Sequence, residues 1–165
     1  MRRQLTILCL IALAAGIALA HPHFPKEVSA ELPNGVKAMV AYTTVPSNES
    51  HAANAAVGSF VTPRAPRITF SGDVVSGSTT IAAGEYTIGV IKNGADDWTL
   101  ALHPGRVDRR SPADPAKLIK MDSAYRKAAN VEHLSVDIIP GHGRLEGKTV
   151  LSLAFGTMAC EGALE

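Results

Sequence analysis

The chain has 165 residues, with 16 Lys and Arg against 15 Asp and Glu, and 46% of its residues are apolar. That length suits one domain with its own hydrophobic core. The near-balanced charge gives no electrostatic case for nucleic acid or for an anionic membrane surface as partner.

The chain opens Met1-Arg2-Arg3-Gln4, followed by an apolar run over residues 5–19 and by Ala18-Leu19-Ala20. A positive start, an apolar stretch and small residues before a cleavage point read as a signal peptide over residues 1–20. The run is shorter than the roughly 20 apolar residues of a spanning helix. The expectation is a periplasmic or secreted protein with no membrane anchor after cleavage; a retained N-terminal anchor is the alternative. Cleavage leaves 145 of the 165 residues as a single domain over 21–165. The signal carries two of the basic residues, so fourteen then face fifteen acidic ones. It also carries Cys9, which leaves Cys160 alone and rules out an internal disulfide. A buried thiol, a dimer link and an inert tail residue are all open to Cys160.

Beyond the signal, the apolar residues recur at every second position, the repeat of a strand with one face on a core. Residues 28–32, the turn Pro33-Asn34-Gly35 and the alternating Val36, Ala38, Val40 and Tyr42 predict a hairpin. Residues 45–58 read as a long loop, and residues 67–70 as a strand with Ile68 and Phe70 on one face. Tyr86, Ile88 and Val90, then a polar turn over 92–97, then Trp98, Leu100 and Leu102 predict a second hairpin. Residues 104–115 form a Pro-rich connection. Asp114-Pro115 followed by residues 116–130 carries an N-cap, a proline at the first helical position and helical spacing of Leu118, Met121 and Tyr125. Local signals there favour a helix. Strands over 132–138, with Leu134, Val136 and Ile138 inward, and over 149–155 close the chain.

Ile81-Ala82-Ala83-Gly84-Glu85-Tyr86-Thr87 resembles the I-P-A-G-x-Y-[ST] turn of a bacterial exported family, domain-of-unknown-function family 2911. Asp97-Trp98-Thr99-Leu100 is similar to that family's acidic-Trp-Thr element. Val131-Glu132-His133-Leu134-Ser135-Val136 and Gly147-Lys148-Thr149-Val150 resemble its closing strands. The resemblance spans residues 27–156, and departs where Glu146-Gly147 replaces a Trp and where residues 57–66 lack another. It implies an exported β-sandwich without assigned chemistry, and a strand rather than a helix over 117–123. On that ground the strand is preferred.

The sharpest chemical feature is His21-Pro22-His23. Cleavage after Ala20 would give His21 a free α-amine beside its imidazole, a chelate suited to Cu(II). A further histidine from the fold, His51, His103 or His142, would complete the site, with His23 beside it. A backbone-amide copper motif fails because Pro22 has no N–H. The plain alternative is two polar residues on a frayed terminus. His133, Ser135 and Asp137 share a strand face, but His133 and Asp137 lie about 13 Å apart at about 3.3 Å per residue, against the 2.6–3.2 Å of a working triad. Glu85, Asp96 and Asp97 read as turn carboxylates. Trp98 reads as core. Arg106, Arg109 and Arg110 make a small basic patch that suits an acidic ligand or plain solvation equally.

Together these residues predict a single all-β antiparallel sandwich of about 7–9 strands behind a signal peptide. No catalytic signature appears. The expected function is a non-catalytic module that binds an extracytoplasmic ligand or protein, with copper binding through His21 as the alternative.

Overall fold

Asn34 and Gly35 turn the chain as their chemistry predicts. The Asn34 side chain accepts the Val36 N–H at 3.1 Å, and Gly35 takes φ +81°. They join β1 (Pro25–Glu31) to β2 (Lys37–Thr43), and Ala38, Val40 and Tyr42 are buried. The protein is described by a computed structural model over residues 23–165. The signal segment 1–20 and His21 lie outside the described residues.

β3 (Phe60–Val61), β4 (Arg67–Phe70), β7 (Gly84–Gly94), β8 (Asp97–Pro104) and β9 (Ile119–Lys120) join that hairpin in one antiparallel sheet of seven strands. Its order is β1-β2-β4-β7-β8-β9. β4 pairs with the start of β7, at residues 84–87, and β3 with Val90 and Ile91 further along it. β5 (Val74–Ser76) and β6 (Thr79–Ile81) form a small hairpin. The long hairpin of β10 (Ser123–Pro140) and β11 (Thr149–Leu164) supplies the opposing layer. Inward residues of both layers meet in one apolar cluster that holds Val40, Ile68, Ile88, Leu100, Leu134 and Leu151. Eleven strands thus stand among the described residues; β3 and β9 are only two residues long, and without them the count is nine. The fold is all-β.

The layers are tied at their edges by backbone hydrogen bonds. Leu134 donates to Val45 and Ser47 donates to Glu132, both at 2.8 Å, while Met121 donates to Leu100 at 3.0 Å. Among the described residues no helix is long and apolar enough to cross a membrane.

The strand preferred over 117–123 is present in part, as β9 and the start of β10, and three other local readings change. The helix signal at 114–130 yields a single 3-10 turn, Pro115–Lys117, whose N-cap Asp114 accepts the Ala116 N–H at 3.0 Å. Beyond it the chain is extended, because β8 and β11 offer ladder partners to β9 and β10 that a helix would forfeit. The loop over 45–58 contains one short helix, α1 (Glu49–Ala53), capped by Asn48. The polar turn over 92–97 shrinks, since β7 continues through Gly94, and Lys92 is buried. The last strand runs on to Leu164 and takes Cys160 into the core at 3% exposure.

Candidate binding cavity

β10 and β11 do not pair continuously. Their register shifts between Lys127 and Ser135, where Val131 faces Gly156. Gly156 takes φ +64°, a left-handed conformation that suits glycine. Ser47 stitches this bulge to the loop before α1: its hydroxyl donates to Val131 O and accepts the Gly156 N–H, each at 2.9 Å. The Glu49 carboxylate accepts the neighbouring Thr157 N–H, which holds its pKa below the usual carboxylate range.

The other end of α1 is held by Lys92. Its ammonium donates to Ala53 O, a carbonyl that the end of the helix leaves unpaired, and at 3.0 Å to Ala55 O just beyond it. The same ammonium lies 5.7 Å from the Trp98 ring centroid, within cation–π range. A lysine read as turn surface is therefore a buried cap. The sequence carried a faint sign of this: Lys92 stands in step with Ile88 and Val90.

Between α1, β3 and the bulged hairpin lies a cavity of about 780 Å³. Val90, Trp98, Leu153 and Cys160 wall it from the core side, while Phe60, Tyr125, Phe155 and Met158 face it from the flanks. The Trp98 alternation is borne out, at 3% exposure, and its ring serves core and cavity together. Burial pushes the Cys160 thiol up to about 12 and the Tyr125 phenol upward. These eight side chains are thus uncharged at neutral pH, while His23, His51 and Arg64 also line the cavity. The volume falls inside the range of about 300–1,000 Å³ typical of small-molecule sites.

A second cleft, of about 990 Å³, shares His51, Phe60, Thr62 and Arg64 with the first. Arg64, Arg67, Arg106 and Arg109 line it, with Asp108 as its one acidic lining residue. Arg64 and Ala65 sit at φ +58° and +46°, two consecutive side-chain-bearing residues in the left-handed region. The basic patch expected around Arg106 and Arg109 is present, but Arg110 is not part of the cleft. Arg64, just before β4, and Arg67, its first residue, join from a distant part of the chain, which spacing could not show.

No protein-family model, curated protein or solved structure matches the chain.

The histidines separate cleanly. His23 lines the cavity with His51, and its Nδ1 stands 2.9 Å from Thr44 O. His103 is buried elsewhere: its Nε2 accepts the Asp114 N–H at 3.0 Å, and its Nδ1 has no hydrogen-bond partner among the described residues. His142 Nδ1 lies 3.0 Å from Glu161, which also takes a 3.0 Å ion pair from Arg126. That buried carboxylate went unread in the sequence, since the tail shows no alternation to flag it. Of the three histidines considered as partners for His21, His51 alone shares the cavity with His23. Among the described residues no three His, Cys, Asp or Glu side chains gather into a metal-binding group. His133, Ser135 and Asp137 follow one another along β10, and Glu85 and Asp96 pair with Arg67 and Lys127 at 3.5 and 3.2 Å.

Proposed function

We propose that this chain is a non-catalytic binding protein, exported to the periplasm or beyond, that takes the apolar part of a small ligand into the cavity beside α1. The observation that carries the reading is the cavity wall, where Trp98, Phe60, Phe155 and Met158 gather around unfilled space that a core would otherwise close. The export signal at residues 1–20 and the resemblance to family 2911 accord with this role outside the cytoplasm. The sole tryptophan of the chain faces the site and reports its occupancy. Titration with N-phenylnaphthylamine, an uncharged fluorescent probe, is expected to saturate at one equivalent with energy transfer from Trp98. Ala55→Phe, which fills the cavity from α1's side, is expected to abolish it. Probe binding that survives the filling, or none in the native protein, would overturn the proposal.

A second reading rests on His23 and His51 sharing one cavity. His21 precedes His23 by two residues, a reach of at most about 7 Å. Copper held by the α-amine and imidazole of His21, with His51 as further ligand, is the alternative function. Protein processed to begin at His21 is expected to bind one copper, and a form with one extra glycine before His21 to lose it. Equal binding by both forms would retire the copper reading.

A further inference from the structure

We infer that the cavity takes a single-chain amphiphile with an anionic head, its chain against Trp98 and Phe155 and its carboxylate or phosphate in the arginine cleft. The inference rests on reading the cavity as a binding site, and adds the chemical class of the occupant.

The cavity and the cleft share a wall. Phe60, Thr62, His51 and Arg64 face both the apolar cavity and the basic cleft, so the two are neighbouring chambers along one surface. One is apolar, and the other gathers four guanidiniums against the single carboxylate of Asp108. This local excess of positive charge sits on a chain whose processed form carries slightly more acidic than basic residues. Arg67 is engaged with Glu85 at 3.5 Å and Arg106 with Asp108 at 3.8 Å. Arg64 and Arg109 hold no ion pair among the described residues. Guanidinium forks match carboxylate and phosphate oxygens geometrically. A purely apolar ligand would leave the arginines unanswered. A small inorganic anion would leave the aromatic chamber unfilled. A molecule with both an alkyl chain and an acidic head meets both.

The test compares dodecanoate, dodecyl phosphate and dodecanol below their micellar concentrations, with N-phenylnaphthylamine displacement as readout. At low salt either acid is expected to bind at least about tenfold tighter than the alcohol. Whichever acid binds tighter identifies the head group, and either preference supports the inference. The double variant R106E/R109E, at two residues that line the cleft and not the apolar cavity, is expected to lose the preference while still binding the uncharged probe, which shows that it folds. Equal affinity for acid and alcohol in the native protein sinks the amphiphile inference but leaves the apolar cavity standing. So does a preference that persists in R106E/R109E, or displacement of dodecanoate by inorganic phosphate at matching affinity. Failure of the uncharged probe to bind the native protein sinks the cavity reading itself.

Discussion

Cys160 joins chemistry to packing in one atom. Its sulfur lies 3.6 Å from the Trp98 carbonyl oxygen, and burial raises its pKa to about 12. Thiolate is the reactive form, so at pH 8 the folded thiol should react with a disulfide reagent about a thousandfold more slowly than in urea, from the pKa difference alone. Comparable rates in both states would remove it from the interior. Asp122 shows the opposite shift. A 2.6 Å hydrogen bond from Arg144, with Lys148 at 3.5 Å, holds its carboxyl below the usual aspartate range near 3.8. Because the folded value is the lower one, the stabilisation is complete above the ordinary value and fades as pH falls through the depressed one. Asp122→Asn should therefore cost about 1 kcal/mol at pH 7, a modest figure because Arg144 is half exposed. Urea melts of the two proteins should draw together as pH falls below the ordinary aspartate value; a gap that stays constant through the acid range would contradict the assignment.

At the level of elements, what the sequence made legible tracks alternation. β2, β4, β7 and β8 were readable because Ala38, Ile68, Ile88 and Leu100 each recur in step with a polar or outward neighbour. The helix signal at Asp114-Pro115 was physically sound and was spent on one capped turn, since the neighbouring strands hold the chain extended beyond Lys117. β11 past Phe155 was invisible because all its residues from Ala159 to Leu164 are buried, so no alternation survives. The bulge could not be read either, as it depends on Ser47 and Glu49, more than a hundred residues away from Gly156. A Cβ on Gly156 would collide with the Glu49 side chain and also take a left-handed φ. Gly156→Ala is expected to cost about 1–2 kcal/mol in urea unfolding and to weaken probe binding by loosening α1. An unchanged midpoint would mean that the bulge relaxes freely.

Across the whole molecule, the candidate site assembles from segments scattered along the chain from His23 to Cys160. Sequence reasoning singled out His23 as a candidate ligand and Arg106 and Arg109 as a basic patch, which lines the neighbouring cleft; it took Trp98 as core and left the role of Cys160 open. It missed their convergence, which depends on the long β10–β11 hairpin folding over the larger sheet. That larger sheet and its opposing hairpin are joined without a disulfide among the described residues, which hold a single cysteine, free and buried; burial, hydrogen bonds and the Asp96–Lys127 ion pair hold them together. Reductant should accordingly leave the thermal midpoint of the processed protein unchanged, and a drop of several degrees would imply an intermolecular bridge.

The tether between α1 and the bulge has a consequence for isotope exchange. The amide protons of Gly156 and Thr157 are held by the side chains of Ser47 and Glu49, not by carbonyls of β10. Deuterium should therefore enter these two positions whenever the loop before α1 lifts, while Leu151 and Leu153 a few residues upstream stay protonated until the ladder itself opens. An occupant in the cavity would slow exchange at Gly156 and Thr157 first, making two backbone sites in the middle of a strand a clock for the motion of a distant loop.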